Sequence, residues 1–264
     1  MTPLAIDQAV ALYVAARHRR QRIAVLPEDC RPASLDEAYA VQAALNERLA
    51  DTHGAVCGRK IGCTTPVMQR YLEIAHPCAG ALYERRTLSA PATVKYTDHW
   101  RPGVECEIAV RLGQPLPAAA APFDRATVAD AVEACMAAIE IVDDRYDDFR
   151  ALDTPTLIAD DFFSAGAVLG PPVTAWREVD LAAAGGAMAI NGKNVGTGTG
   201  ADVMGHPFEA LTWLANHAAA SGRPLAAGDV VLTGSVVETK WVEPGDTVHV
   251  AIEGMGEASV TFAR

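Results

Sequence analysis

Residues 103–112 read GVECEIAVRL, and this stretch has the alternating pattern of a β-strand. Successive side chains in a strand point to opposite faces, so Val104 and Cys106 share one face. Glu105 and Glu107 then share the other face. The stretch therefore predicts a strand with an apolar side against the core and two carboxylates on the opposite side.

Two helices are predicted to precede the strands. Residues 3–24 carry apolar side chains at helical spacing. Ser34 with Glu37 three residues later is typical of a helix start, and apolar positions follow at three- and four-residue steps. We therefore expect an N-terminal helical segment over residues 1–55.

The remainder, residues 56–264, consists mostly of short β-branched runs bounded by glycine and proline. Convincing helical periodicity is confined to 127–138 and 206–221, and Asn191-Gly192 is typical of a hairpin turn. Many strands without regular βαβ alternation favour an α+β fold, with N-terminal helices followed by a mixed β body. We expect the two parts to form one integrated domain.

The composition excludes several classes of partner. A net charge of -11 and a pI near 5.0 argue against nucleic acid and against an anionic membrane surface. The sequence has no apolar run long enough to span a membrane, and its first positive charges follow the apolar stretch, unlike those of a secretory signal. Six scattered cysteines have no zinc-site spacing. We therefore expect a cytoplasmic protein that binds a small molecule.

Glu105 and Glu107 admit two interpretations. Their Cβ atoms are expected roughly 7 Å apart, given a rise of about 3.3 Å per residue, so both carboxylates can converge on one cation. Alternatively, the pair is the polar outer face of an ordinary strand, which spacing alone favours because E-x-E is a common pattern. The spacing by itself leaves both interpretations open.

Glu140 shifts the balance towards a metal site. It follows the predicted helix at 127–138 and lies in a run that otherwise has the composition of a buried segment. A lone buried carboxylate is costly unless it is paired or bound to metal, although an arginine or backbone N–H groups would also satisfy it. We refer to Glu105, Glu107 and Glu140 as the acidic trio. Three carboxylates without histidine suit Mg²⁺ or Mn²⁺ better than zinc.

Other polar residues are weaker candidates for a site. Lys60 lies between glycines, a setting that suits either a buried lysine of lowered pKa or one whose ammonium reaches water. Asp143-Asp144 and Asp147-Asp148 are expected to form a solvated run of charge in a loop. Asp160-Asp161 precedes two phenylalanines and is expected beside a pocket.

Six ordered motifs together resemble a known family. They are GRKIGCTTPVMQ (58–69), GVECEIAVRL (103–112), AIEIVDDRY (138–146), IADDFFSAGAVLG (158–170), GTGADVMGHPFEALTWLAN (198–216) and GDVVLTGS (228–235). From about residue 3 to its end the chain resembles the 2-keto-4-pentenoate hydratase and 4-oxalocrotonate decarboxylase branch of the fumarylacetoacetate hydrolase superfamily. The resemblance implies that family's fold, a mixed β-sandwich or roll preceded by helices.

The resemblance also implies a metal centre and a substrate pocket. It assigns Mg²⁺ or Mn²⁺ to the acidic trio and places Lys60 beside the substrate carboxylate. Four residues are assigned to the pocket: Thr233, Ser235, Asp160 and Ser164. The implied substrate is a small 2-oxo acid, and the implied reaction is hydration of a 2-hydroxy-2,4-dienoate in aromatic-compound catabolism. The implied assembly is a homo-oligomer.

One departure from the family pattern leaves the reaction open. Hydratases of this branch commonly have an Asp in a P-D-[FY]-G loop after the lysine motif, whereas residues 77–80 here read PCAG. The family's A-D-N is also A-D-D here, at 159–161, followed by two phenylalanines. A 2-oxo acid decarboxylase or a C–C bond hydrolase on the same metal site is therefore an alternative. A non-catalytic partner subunit that keeps the fold is another.

Overall fold

The computed structural model describes the backbone of residues 1–264 and the side chains of all of them except Tyr71. The helices are α1 (Pro3–Arg19), α2 (Leu35–His53), α3 (Pro66–Tyr71), α4 (Arg125–Ala131), α5 (Thr154–Ala159) and α6 (Pro207–Ala220). The first strands are β1 (Val56–Gly62), β2 (Cys78–Tyr83), β3 (Thr87–Ser89), β4 (Ala92–Lys95), β5 (Pro102–Leu112) and β6 (Val132–Asp143). The later strands are β7 (Ser164–Leu169), β8 (Gly185–Ile190), β9 (Lys193–Thr199), β10 (Val230–Trp241), β11 (Thr247–Ile252) and β12 (Gly256–Ala263).

The strands form two sheets. The larger sheet has the order β2-β1-β10-β5-β6-β7-β3, and the smaller has the order β4-β12-β11-β8-β9. The larger sheet curls until β2 meets β7, where Ser164 Oγ donates a hydrogen bond to the Ala81 carbonyl at 2.8 Å. The result is a roll with a second sheet against its outside, preceded by helices, which confirms the predicted α+β fold.

The two faces of the larger sheet have different surroundings. On the outer face, Cys106 and Ile108 belong to the main core, together with Val250 and Phe262 of the smaller sheet. On the inner face, a separate small cluster of apolar side chains includes Met136 and Leu232. The apolar side predicted for residues 103–112 is therefore confirmed, and the side that carries the glutamates faces the inside of the roll.

Side-chain caps begin both N-terminal helices, and the one at Ser34 was predicted from the sequence. Thr2 Oγ1 accepts a hydrogen bond from the Ala5 amide at 3.2 Å, and Ser34 Oγ accepts one from the Glu37 amide at 3.3 Å. Helix α1 ends at Arg19 because Arg20 has a left-handed backbone, with φ of 51°. The helix predicted over 3–24 is therefore wrong at its C-terminal end.

These helices do not form a core of their own. Their buried side chains, such as Leu45 of α2, pack in one cluster with Ala81 of β2 and Leu157 of α5. The integration into one domain and the boundary at residue 55 both stay predictions.

The helix predicted at 127–138 is wrong over its second half. Helix α4 ends at Ala131, and the chain continues directly into β6. Strand β6 is buried on both faces, with Cys135 in the main core and Met136 in the inner cluster. A strand buried on both faces is a continuous apolar run, which periodicity alone does not distinguish from a buried helix.

Two other local predictions are confirmed. Asn191 and Gly192 have φ of 52° and 77° and form the turn between β8 and β9. Helix α6 spans Pro207–Ala220, within the predicted 206–221. Among the described residues, no helix has both the length and the apolar character that a membrane crossing requires.

Candidate metal centre and active site

The acidic trio meets on two neighbouring strands inside the roll. Strands β5 and β6 are antiparallel, and their register places Glu105 directly opposite Glu140. Glu107 lies two residues further along β5 and so shares the same face. One carboxylate oxygen from each member lies within 4.8 Å of the others. The strand pairing therefore produces the convergence that the E-x-E spacing only allowed.

Burial makes the negative charges of the trio costly. Glu107 and Glu140 are fully buried, whereas Glu105 keeps partial access to solvent. Burial, followed by repulsion from Glu140 and Glu105, raises the pKa of Glu107 well above its ordinary value. Burial and the Glu140 carboxylate raise the pKa of Glu105 to about 7. The protein groups around the trio thus leave its negative charge incompletely compensated.

Hydrogen bonds hold two of the carboxylates while leaving other oxygens without donors. The Gly234 amide donates to Glu107 Oε2 at 2.7 Å, and the Thr239 hydroxyl donates to Glu105 Oε1. Among the described residues, no hydrogen-bond donor reaches Glu107 Oε1 or Glu140 Oε2. Buried carboxylate oxygens without donors, held on three converging side chains, fit a hard divalent cation such as Mg²⁺ or Mn²⁺.

Gly234 is required at its position in β10. Its φ of 121° is strained for other residues, and a Cβ there would lie 2.6 Å from side-chain atoms of Thr64. The close approach of Thr64 fixes the backbone of β10 at the point where the Gly234 amide reaches Glu107. The T-G-S segment therefore contributes a backbone donor to the trio.

Lys60 reaches the trio from β1. Its side chain is almost completely buried, and Nζ lies 2.7 Å from Glu140 Oε1. Burial acts to lower the pKa of Lys60, but Glu140 and Glu105 act in the opposite direction, and the pKa is raised above its ordinary value. Lys60 is thus a buried ammonium ion, in contrast to the lowered pKa and to the solvated head group considered from the sequence.

Comparison with known proteins identifies the family. Residues 79–263 match the family described as fumarylacetoacetate (FAA) hydrolase C-terminal. The chain belongs to the FAA hydrolase superfamily. Its relatives place it in the branch that the six motifs predicted.

Relatives of similar length have hydratase names. The 2-keto-4-pentenoate hydratases of Burkholderia vietnamiensis and Paraburkholderia phymatum are 37% and 34% identical to this chain. Each match covers 98% of this chain, with 99% and 98% of the respective relatives. The 2-hydroxyhexa-2,4-dienoate hydratase of Comamonas testosteroni is 34% identical, with 97% of both chains covered. This member of the FAA hydrolase superfamily is therefore an enzyme, and the relatives named above are lyases.

Solved structures of one decarboxylase share the fold over the whole chain. The 4-oxalocrotonate decarboxylase from Pseudomonas putida G7, complexed with calcium and acetate, has a TM-score of 0.90 and 26% identity. That match covers 99% of this chain and 98% of the decarboxylase. The same decarboxylase complexed with magnesium and adipate has a TM-score of 0.89 and 28% identity, with 97% of both chains covered. These matches confirm the FAA hydrolase type of fold.

Phe162 lies beside Lys60, a contact that the sequence did not predict. Its ring lies against Gly62, where an added Cβ would come within 2.8 Å of the ring, and its centroid is 5.2 Å from Lys60 Nζ. Phe162 is the middle one of three residues, 161–163, with left-handed backbones at φ of 67°, 44° and 63°. Such backbones are unfavourable for non-glycine residues and persist where the surroundings enforce them.

Asp161 is one anchor of this left-handed turn. Its Oδ1 accepts a hydrogen bond from the Ala81 amide at 2.8 Å, and its Oδ2 accepts one from Tyr83 Oη at 3.2 Å. Both donors belong to β2, so Asp161 attaches the turn to the strand beside Lys60. The turn therefore holds the Phe162 ring against the ammonium group of Lys60.

The carboxylate of Asp160 is held by an ion-pair network outside the trio. Arg17 Nη1 lies 2.6 Å from Asp160 Oδ1, while Arg145 Nε and Tyr146 Oη donate to Oδ2 at 3.2 and 2.8 Å. We refer to Arg17, Arg145, Tyr146 and Asp160 as the aspartate network. Its contacts describe a structural role for Asp160, and the predicted role in substrate binding stays a prediction.

The three predicted hydroxyl residues donate to the backbone. Thr233 Oγ1 donates to the Ile108 carbonyl at 2.8 Å, and Ser235 Oγ donates to the Cys106 carbonyl at 3.3 Å. Ser164 makes the hydrogen bond to β2 that closes the roll. Their assignment to the substrate pocket stays a prediction.

The expectation of a solvated charge run is wrong for Asp143-Asp144. Both residues are buried, and Asp143 Oδ1 accepts hydrogen bonds from the amides of Trp100 and Arg101 at 2.9 and 2.8 Å. No local pattern around Asp143 indicated these donors, because they come from the segment before β5. Asp147-Asp148 is exposed, as expected.

Proposed function

We propose that this protein is a divalent-metal-dependent hydratase of a small 2-hydroxy-2,4-dienoate, the enol form of a 2-oxo-4-enoate, in the breakdown of aromatic compounds. The observation that carries the proposal is the buried acidic trio with Lys60 beside it. The hydratase names of relatives that match almost the whole chain support this reaction.

The acidic trio would hold the ion, which we propose is Mg²⁺ or Mn²⁺. When bound, the ion supplies a Lewis acid for the substrate's carboxylate and its C2 oxygen. The calcium and magnesium complexes of the decarboxylase with the same fold support a divalent ion. Gly234 and Thr239 orient the carboxylates that would hold it.

Lys60 would supply the positive charge that an anionic substrate requires. The protein as a whole carries a charge of -11, so a local cation is needed to bind a carboxylate. Lys60 is buried beside Glu140, and the ring of Phe162 covers one side of its ammonium. A substrate carboxylate beside Lys60 would therefore meet a charge shielded from water, where its attraction is stronger than in solvent.

The overall reaction adds one water molecule. A proton goes to C5 of the dienoate, which gives a conjugated 2-oxo acid, and water then adds its oxygen to C4 and a proton to C3. The product is a 4-hydroxy-2-oxo acid. Carboxylate binding at Lys60 would fix the end of the substrate chain opposite to C4 and C5.

Decarboxylation of a 2-oxo acid is the second candidate reaction. The start of β2 adjoins Lys60, since a Cβ at Gly80 would lie 3.0 Å from Lys60 Cε. This is the loop where related hydratases commonly have an Asp, and here it has Cys78 and Ala79, both buried. The full-length match to 4-oxalocrotonate decarboxylase supports the same alternative.

We propose further that the enzyme acts in the cytoplasm as a homo-oligomer and binds neither nucleic acid nor membranes. The acidic composition supports the exclusion of nucleic acid and anionic membranes.

An assay of purified protein with 2-hydroxypenta-2,4-dienoate and Mg²⁺ or Mn²⁺ tests the proposal. We expect metal-dependent loss of the dienoate absorbance and formation of 4-hydroxy-2-oxopentanoate. We expect Glu107→Gln to lower kcat/KM at least about 100-fold, because it removes a ligand charge. Full activity with a chelator present, or in Glu107→Gln, would contradict the metal site. CO₂ release from 4-oxalocrotonate, without hydration of dienoates, would favour the decarboxylase.

A further inference from the structure

A cavity of about 200 Å³ lies between the edges of the two sheets. Strand β3, at one end of the larger sheet, and strand β4, at one end of the smaller sheet, both contribute to its wall. We refer to it as the edge cavity, and the charged residues in its wall are Arg85, Arg86, Lys95 and Asp98. Among the described residues that line it, none belongs to the acidic trio.

The edge cavity lies on the outer side of the sheet that carries the acidic trio. Ile141, one of its lining residues, directly follows Glu140 in β6, so the two side chains point to opposite faces. Ile141 belongs to the main core on the outer face, whereas Glu140 contacts Lys60 inside the roll. Gly166, which is opposite Ile141 in β7, is also part of the wall. The sheet therefore separates the edge cavity from the proposed active site.

Three cations meet at the edge cavity without a carboxylate partner. Among the described residues, no carboxylate oxygen lies within 4.0 Å of a charged nitrogen of Arg85, Arg86 or Lys95. Arg85 Nη1 donates to the Thr52 carbonyl at 3.3 Å, and no described acceptor takes a hydrogen bond from the side chains of Arg86 and Lys95. Asp98 is the acidic residue in the wall, so three cations accompany one carboxylate in a protein whose net charge is -11. An anion in the cavity would lower the mutual repulsion of these cations.

Apolar side chains form the other part of the wall. Leu88 and Val94 are partly buried and pack against the main core, to which Ile141 belongs. His99 adds no charge near neutral pH, because burial lowers its pKa. A concave site with an apolar wall and a few convergent polar groups is typical of a site for a small molecule. The edge cavity therefore fits an anion that has an apolar body.

A larger cavity beside α4 also contains arginines, but its arginines have partners. It has a volume of about 380 Å³ and is lined by Arg125 and Arg177. Arg125 Nη1 lies 3.2 Å from Glu209 Oε1, and Arg177 Nη2 lies 3.8 Å from Asp130 Oδ1. Each of these guanidinium groups already has a carboxylate neighbour, so an anion gains less there than in the edge cavity.

We propose that the edge cavity binds a small organic oxyanion, with its carboxylate or phosphate group at Arg86 and Lys95 and a short apolar chain on Leu88, Val94 and Ile141. A planar guanidinium with free donors matches either oxyanion through two parallel hydrogen bonds. The ammonium group of Lys95 adds a second charge to the same contact. This binding site is separate from the acidic trio and does not depend on the reaction catalysed there.

Calorimetry of the metal-free protein with four probes tests the proposal. Butyl phosphate and butanoate carry both a charge and an apolar chain, inorganic phosphate carries only the charge, and butan-1-ol has only the chain. We expect the tighter of the two organic anions to bind about 10-fold more tightly than inorganic phosphate, because the chain buries apolar surface. We expect no detectable binding of butan-1-ol. The tighter organic anion identifies the head group that the site prefers.

Variants of Arg86 locate the binding in the edge cavity. We expect Arg86→Met to weaken binding of the organic anion about 10-fold, because it removes one charge-assisted contact. Arg86→Lys should keep part of the affinity, since it retains the charge but not the planar pair of donors. Arg177→Met is the matched control: Arg177 also lines a cavity, and we expect its removal to leave the affinity unchanged.

The other outcomes overturn the proposal. Absence of binding by both organic anions, or unchanged affinity in Arg86→Met, refutes an oxyanion site in the edge cavity. Equal affinity for inorganic phosphate and butyl phosphate indicates an adventitious ion only. A loss of affinity in Arg86→Met that Arg86→Lys does not recover, with a lower melting temperature of both variants without ligand, assigns Arg86 a structural role. None of these results affects the metal-dependent reaction, which is measured separately.

Discussion

The acidic trio and the aspartate network are both buried groups of charge, but only in the network does each carboxylate oxygen have a cationic or hydroxyl partner. In the network, one carboxylate is contacted by two arginines and a tyrosine hydroxyl. In the trio, three carboxylates share a single lysine, and two oxygens have no donor among the described residues. The network therefore connects α1 to the loop after β6, whereas the trio has the unpaired buried carboxylates that we propose to hold a cation.

The difference shows that a buried carboxylate can stabilise the fold when it is paired and favour cation binding when it is not. Matched donors offset part of the desolvation cost of a buried carboxylate, and removing that carboxylate leaves the arginines without their contact partner. A buried carboxylate without donors raises the free energy of the protein until a cation binds. The same chemical change, a carboxylate replaced by its amide, should thus have opposite effects on stability in the two places.

The largest expected effect is that of Asp160→Asn. It removes the carboxylate that contacts both Arg17 and Arg145, and we expect it to lower the free energy of unfolding by about 3–5 kcal/mol. Urea denaturation of the metal-free protein measures this loss. In the same experiment Glu107→Gln, which removes a repelled charge, should raise the free energy of unfolding by about 1 kcal/mol. Destabilisation by both variants to the same extent would refute the distinction between the two groups.

A smaller effect is expected from the backbone donor of the trio. Gly234→Ala places a Cβ 2.6 Å from Thr64, so β10 must shift and the amide donor to Glu107 must move. We expect a loss of about 2 kcal/mol in stability and about 10-fold in Mg²⁺ affinity, as measured by denaturation and by calorimetry.

Gly228→Ala is the control for backbone strain alone. Gly228 also has a positive φ, of 90°, but a Cβ there would meet no atom within 4 Å. We expect a loss of about 1 kcal/mol in stability with no change in Mg²⁺ affinity. If Gly234→Ala bound Mg²⁺ as tightly as Gly228→Ala, the orienting role of the Gly234 amide would be wrong.

The smallest expected effect concerns the pKa of Glu105. Its folded value of about 7 is above the ordinary 4.5, so the folded protein holds a proton there that the unfolded chain has lost between these two pH values. The stability of the metal-free protein should therefore fall as the pH rises from 4.5 to about 7. Mg²⁺ affinity should weaken below pH 7, because the ion requires the carboxylate form.

Thr239→Val tests whether the pKa of Glu105 sets the pH dependence of Mg²⁺ affinity. The Thr239 hydroxyl donates to Glu105 and so lowers its pKa. Removing that donor should move the loss of Mg²⁺ affinity to a higher pH and cost about 1 kcal/mol of binding at pH 7. Titration of Mg²⁺ binding against pH measures the change. The same pH dependence in both proteins would show that this hydrogen bond does not set the pKa.

Local patterns in the sequence correctly predicted the elements that depend on local physics. The cap at Ser34, the turn at Asn191-Gly192 and helix α6 follow from hydrogen bonds and periodicity within a few residues. The shared face of Glu105 and Glu107 follows from strand geometry in the same way.

The errors lie where distant segments determine the environment. Strand β6 resembles a helix in sequence because neighbours cover both of its faces. Asp143 has the sequence context of a solvated residue and is buried because the amides of Trp100 and Arg101 reach it. The left-handed turn at Phe162 depends on bonds between Asp161 and β2 that no local pattern encodes.

The sequence by itself therefore determined the family, the α+β class and the three glutamates, because motifs and strand alternation are local properties of the chain. Only the tertiary structure showed that those glutamates converge in one buried place. The antiparallel register of β5 and β6 places Glu105 opposite Glu140, and the curled sheet brings Lys60 to the same point. A carboxylate is an exposed surface charge or a metal ligand according to which groups surround it, and that depends on contacts between distant strands.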